Sequence, residues 1–291
     1  MLRIRPLTRQ LTQCNTAFRR YTSFSAPLRK AGQQQQRVPW TRMMALASVT
    51  GMAAAGTFMT LAPSTAYSEA QAPVDANGVE DPDTHMVFPF YLTNDSEWKR
   101  LVGLGARQVS FLNINVYVLG LYMKSEDIRQ LQTDPKWKQF DKADFLAKED
   151  LALSLLNQPV DVSIRIVPAR NTNTQHLRDG FTRSLLQRMR QQSQTMTEDE
   201  EKEILDAIRD FKTKFVNAKV KKDTEFVFTK TRDGTFKMEY LGKDLGTVKN
   251  KWLAVNFIMT YLNPDFPASE AALQSIATGF DALMNPPSSS T

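Results

Sequence analysis

The chain has 291 residues, with 37 Lys or Arg against 31 Asp or Glu, yet nine of the basic residues lie within residues 1–42 and the first acidic residue is Glu69. The remaining 28 basic residues face 31 acidic ones, so the high isoelectric point belongs to the N-terminus, which excludes nucleic-acid binding by the folded part. One cysteine, Cys14 in the same basic segment, excludes a disulfide framework, a zinc site and a cysteine nucleophile beyond it, and two histidines, His85 and His176, are too few for an imidazole-built metal cluster and form no recognisable Ser-His-Asp set.

In chain order, residues 1–42 read as a mitochondrial presequence: Arg-rich, acid-free, with an apolar face from Leu2, Ile4, Leu7 and Leu11 and a processing site at Arg19-Arg20. A basic nucleic-acid-binding tail is the alternative. Residues 43–62 carry no charge over a length that spans a bilayer and are expected as a transmembrane helix, with a second cleaved signal or a linker as alternatives. The basic flank at Arg42 and the acids from Glu69 to Asp83 orient the N-terminus toward the matrix. The domain would then sit at the mitochondrial inner membrane, facing the intermembrane space. Residues 63–84, rich in Ala, Pro, Ser and acids, read as a linker. Residues 85–286 are expected as one domain and 287–291 as a tail.

Within the domain, Phe88 to Leu92 reads as an opening strand. Arg107 then heads two strand-like runs rich in Val, Ile, Phe and Tyr, with Gly120 allowing a bend or a close approach. Ser125 to Gln132 and Lys142 to Leu156 are expected helices. Val160, Val162, Ile164 and Ile166 alternate with polar residues, as in a strand with one buried face. Leu177, Phe181, Leu185 and Met189 stripe a helix over residues 174–192. Thr197 with Glu200 forms a capping box for a helix reaching about Val216. Phe226 to Tyr240 reads as a hairpin turning at Asp233-Gly234, followed by helices over Lys249 to Leu262 and Ser269 to Met284. Strands first, then helices, a hairpin and helices again predict an α+β fold. No phosphate-binding glycine loop is present, since Gly103-Leu-Gly105 lacks a following helix pattern.

The run Gly103-Leu-Gly-Ala-Arg107, with the strand that ends in Asn113-Ile-Asn-Val-Tyr117, resembles the Gly-rich turn, Arg and aromatic-rich strand of the chalcone isomerase family. The helix carrying His176 and Arg183, the Asp-Gly hairpin and the run Asn250 to Thr260 follow in the order that family requires. With the presequence, the chain is similar to fungal mitochondrial proteins that carry this domain. The resemblance implies an open-faced β-sandwich, a large antiparallel sheet backed by a layer of helices, with the ligand cleft between sheet and helices. It also implies that Arg107 faces the ligand and that Thr260 is the threonine of the last helix.

The chain departs from the enzymes at other positions. Tyr117 stands where the enzymes' second strand has a catalytic threonine, and His176 and Arg183 stand where their helix has Tyr and Asn. The resemblance to non-catalytic relatives that bind fatty acids implies a binder of a hydrophobic carboxylate, a fatty acid or a haem-like porphyrin, with Arg107, Tyr117, His176, Arg183 and Thr260 as ligand-binding residues. The alternative is an intramolecular lyase acting on a non-flavonoid substrate, with Arg107, Tyr117, His176 and Thr260 as catalytic residues. Each residue also has a plainer reading: Tyr117 as a core aromatic, His176 as a helix-surface or capping residue, Arg183 as a solvated charge, Thr260 bonded to its own helix.

Overall fold

The computed structural model describes residues 78–94, 97–109 and 114–286. The expected presequence, the expected membrane span 43–62, most of the expected linker and the expected tail 287–291 lie outside these residues. The chain opens with β1 (Val79–Glu80), β2 (Val87–Phe88), β3 (Tyr91–Asn94), β4 (Glu97–Val109) and β5 (Ile114–Lys124). Helices α1 (Ser125–Thr133), α2 (Lys142–Ala147) and α3 (Asp150–Asn157) lead to β6 (Val162–Pro168) and β7 (Thr172–Asn173). Then come α4 (Thr174–Gln192), α5 (Glu198–Thr213), β8 (Lys219–Val220), β9 (Phe226–Lys230), β10 (Phe236–Tyr240) and β11 (Lys243–Val248), and last α6 (Lys251–Leu262) and α7 (Glu270–Met284).

A seven-stranded antiparallel sheet runs in the order β11-β10-β9-β6-β5-β4-β3. Because side chains alternate along a strand, the register sorts them into two faces. On one face the cross-strand rows Leu119–Ile166–Phe226 and Leu121–Ile164–Phe228 meet the helices. Helix α6 is buried from Leu253 to Leu262 and mostly apolar, as suits a helix surrounded by protein, with Asn256 and Thr260 as its buried polar residues. Its Phe257 ring lies 4.8 Å from Phe228, 4.7 Å from Phe236 and 5.4 Å from Phe181 of α4. The expected α+β architecture, a large antiparallel sheet backed by helices, is the one observed.

Strand β6 differs from the expectation of one buried face. Ser163 and Val167 on its outer side are buried as well: Ser163 accepts from the Lys99 ammonium at 2.9 Å and lies 2.7 Å from the Thr229 hydroxyl, and the segment 78–92 folds over Val167. Met86, Phe88 and Leu92 pack there on Leu104, Val118, Tyr122 and Val167, and the Tyr122 hydroxyl donates to the Pro89 carbonyl at 3.0 Å. The cover is a short hairpin in which Val79 pairs with Phe88 and Glu80 with Val87. Its turn is tied by Asp81, buried, whose carboxylate accepts from the Thr84 N–H and hydroxyl at 3.0 and 2.7 Å. The end of the expected linker, residues 78–84, is therefore an arm of this hairpin, and the expected opening strand is divided between β2 and β3. Lys142 to Leu156 is likewise two helices, α2 and α3, broken at Lys148 and Glu149, and β11 is a strand that the sequence reading lacked.

Gly103 and Gly105 lie two residues apart on β4 and face α7. A Cβ on Gly103 would stand 2.5 Å from the Ile276 backbone nitrogen, and one on Gly105 would stand 2.4 Å from that of Ala272. In return, a Cβ on Gly279 of α7 would meet the Val102 carbonyl oxygen at 1.7 Å. Strand and helix thus touch main chain to main chain, which only glycine permits. Two serines of α7 and its cap complete the joint: Ser275 Oγ accepts from the Leu104 N–H at 3.1 Å, and Ser269 Oγ donates to the Ala106 carbonyl at 2.6 Å. The glycines expected as a turn are the middle of a strand, and Arg107 stands near that strand's end instead of heading it.

Candidate functional site

Arg107 follows Gly103 and Gly105 on the helix-facing side, just past the point where Ser269 caps α7. In the ladder it faces Tyr117, and the register slips immediately afterwards, between Arg107 and Gln108. A bulge at a strand end re-aims the adjacent side chain, here toward the gap between sheet and helices. The Arg107 Nη1–H donates to the Tyr117 hydroxyl at 3.0 Å, with the guanidinium 5.7 Å from the centre of that ring. The Tyr117 hydroxyl is 2.8 Å from that of Tyr261 on α6, and either can donate. Both tyrosines are buried, at 2% and 1% exposure, so they hold the cation from behind.

Tyr117 beside it raises the Arg107 pKa further, against the opposing effect of burial, so the cation persists at every ordinary pH. Burial pushes the Tyr261 phenol well above its ordinary range, with Tyr117 adding to the effect. Tyr117→Phe leaves the Tyr261 hydroxyl buried without this partner and is expected to cost about 1–3 kcal/mol of stability, measured by urea denaturation. The double variant Tyr117→Phe with Tyr261→Phe should be more stable than the single one, because no buried phenol oxygen is then stranded. Losses that simply add would show that the bond between the phenols contributes nothing.

Two cavities flank Arg107. One, about 420 Å³, takes its walls from Val116, Tyr117, Leu177 and Phe181, with Arg107, His176 and Arg183 among the polar groups at its edge. The other, about 320 Å³, is lined by Thr260 and polar residues including Arg188. Arg188 is buried and already answered: it makes paired bonds to Glu149 at 2.8 and 3.1 Å, and its Nε donates to Asn256 at 2.9 Å. Among the described residues, no carboxylate pairs with Arg107. Of the two cavities that Arg107 borders, the one with apolar walls is therefore the candidate site.

The structure brings four of the five expected site residues to this cavity. His176 and Arg183, two helical turns apart on α4, are both exposed at its edge, and the His176 backbone N–H donates to the Asn173 cap at 2.8 Å. Thr260 lies apart: it lines the other cavity, and its hydroxyl donates to the Asn256 carbonyl one turn back at 3.0 Å. Adjacent helix residues point about 100° apart, and it is Tyr261, which the sequence reading lacked, that reaches the phenol beside Arg107.

The family model described as chalcone isomerase like matches residues 97–277. The chain belongs to the chalcone isomerase-like family. Relatives of similar sequence include fungal proteins. An uncharacterized protein of Schizosaccharomyces pombe is 38% identical over 34% of this chain and 40% of its own length. Altered inheritance of mitochondria protein 18, mitochondrial, of Debaryomyces hansenii is 26% identical over 63% of this chain and 67% of its own. The chain thus spans two fifths of the first relative's length and two thirds of the second's. Among solved structures, a fatty-acid binding protein of Arabidopsis thaliana matches with a TM-score of 0.56 at 21% identity, covering 72% of this chain and 99% of that one. That likeness shows the chalcone isomerase-like fold.

Proposed function

We propose that this chalcone isomerase-like domain is a non-catalytic binder of an amphiphile with an acidic head, a fatty acid being the simplest case. The observation that carries this reading is the Arg107 guanidinium, backed by two buried phenols and facing an apolar cavity with no carboxylate partner among the described residues. A carboxylate entering there completes a charge-assisted pair, and its chain lies along Val116, Leu177 and Phe181. The structural neighbour that is a fatty-acid binding protein supports the same reading. Of the four residues an intramolecular lyase would use, Arg107 and Tyr117 meet at the cavity, whereas His176 stands at its exposed edge and Thr260 opens on the other cavity.

Extracting ligands from the purified chain, then titrating it with laurate, palmitate and haem, tests the proposal. Saturable binding of a fatty acid is expected, with haem as the alternative carboxylate ligand. Failure to bind any of the three would sink the reading, and turnover of a chalcone faster than in buffer would favour the enzyme.

The mitochondrial names of the relatives and the basic, acid-free N-terminus support a mitochondrial location. Within the organelle the proposal is anchorage in the inner membrane by residues 43–62, with the domain in the intermembrane space. Among the described residues no helix is long and apolar enough to cross a membrane, and 43–62 lie outside them. Resistance to carbonate extraction checks the anchor, and protease access after rupture of the outer membrane checks the side.

A further inference from the structure

Arg107 is one of several cations at its cavity. Strand β6 ends beside the same row of the sheet, since Tyr117 pairs with Pro168, and Arg170 follows two residues later. Across the opening, His176, Gly180 and Arg183 fall on one side of α4, and all of them, with Arg170, line the cavity. The single carboxylate in the lining, Asp179, is already bridged to Arg178 at 2.8 Å. Among the described residues none of Arg107, Arg170 and Arg183 has a carboxylate partner, whereas Arg188 in the neighbouring cavity is fully paired.

Three guanidiniums around one pocket repel one another, and a single carboxylate answers one of them. We infer that the preferred head group of the ligand is a dianion, a phosphate monoester on an apolar chain, which offers three acceptor oxygens to the arginine forks. The inference rests on the reading of this cavity as an amphiphile site and adds the class of head group. Recognition of a free phosphate, with no need of the apolar body, is the competing outcome that the test separates.

Calorimetric titration of the full chain with dodecyl phosphate, laurate and inorganic phosphate tests it. At pH 7.5 dodecyl phosphate should bind about tenfold or more tightly than laurate. The preference should shrink between pH 7.5 and about pH 5.5, where a phosphate monoester has lost its second charge near pH 6 while laurate is still largely ionised and His176 at the cavity edge acts on both ligands. Arg170→Gln with Arg183→Gln should weaken dodecyl phosphate more than laurate and so collapse the preference. Both residues are exposed, and an unchanged melting temperature would confirm that the variant folds. Equal binding of the two amphiphiles, or a preference that survives in the double variant, overturns the inference while leaving the fatty-acid reading intact. Inorganic phosphate binding as tightly as dodecyl phosphate also overturns it, in favour of a site for free phosphate. Binding of neither amphiphile overturns the amphiphile reading, and this inference with it.

Discussion

Arg107→Ala is expected to weaken fatty-acid binding by about 2–5 kcal/mol, the usual loss when one partner of a desolvated, hydrogen-bonded charge pair is removed. The change is confined to the site because the Tyr117–Tyr261 bond survives it and Arg107 makes no ion pair that the fold depends on among the described residues. Arg107→Lys should recover part of the loss, keeping the charge but not the fork that reaches both the ligand and Tyr117. The pH profile follows from the two partners. Arg107, held above its ordinary range, stays charged into strong alkali, so binding persists as pH rises and fails on the acid side as the ligand's own carboxyl takes up a proton. Calorimetry or displacement of a fluorescent fatty acid gives the affinities. Wild-type affinity in Arg107→Ala would remove Arg107 from the site and, with it, the choice of cavity.

The largest effect on stability is expected from Gly279→Ala. The new Cβ would enter the space of the Val102 carbonyl oxygen, and backbone cannot swing aside as a side chain does. Helix α7 and strand β4 must separate, which weakens the bonds from Ser275 and Ser269 along the same joint. Overpacking of this kind costs about 3 kcal/mol or more, or roughly 6–12 °C in melting temperature for a domain of this size. Gly180→Ala on α4 is the control, since nothing lies within 4 Å of a Cβ there. That change should leave the melt unaltered or raise it slightly through better helix propensity. A Gly279→Ala protein that melts with the wild type would show that the joint has slack.

What the sequence revealed of the fold follows from which interactions are local. Periodicity along residues 174–192, the Thr197 capping box and the Asp233-Gly234 turn are settled by neighbours in the chain, and α4, α5 and the β9–β10 hairpin appear where those signals place them. Strand β11 carries a glycine at φ +117° opposite a slip in register, and its run Lys-Asp-Leu-Gly-Thr-Val has no alternation to read. The glycines of β4 were ambiguous because a glycine pair serves a turn and a close helix contact equally well. Their spacing of two, which puts both on one face of a strand, is the signal that distinguishes the cases.

In the site, Arg107, Tyr117, His176 and Arg183 were legible because the family resemblance supplies their order. Tyr261 was not, since a tyrosine in an apolar helix reads as core until another buried hydroxyl is known to lie opposite. Arg170 sits in the loop after β6, where no pattern in the sequence distinguishes it from any solvated arginine. Only the register that brings Pro168 beside Tyr117 places it at the cavity.

The outer face of the sheet has a consequence for how the molecule can come apart. Its cover is a hairpin of two residue pairs, knotted at Asp81 and packed through Met86, Phe88 and Leu92, while the cavity lies on the opposite face, between the sheet and α4. Amides of residues 79–88 should therefore exchange with solvent through a small opening that leaves Phe257 and its neighbours undisturbed. A ligand in the cavity would slow exchange along β5 and α4 and leave the cover as it was. The cover can in this way open on one face of the sheet without disturbing the cavity on the other.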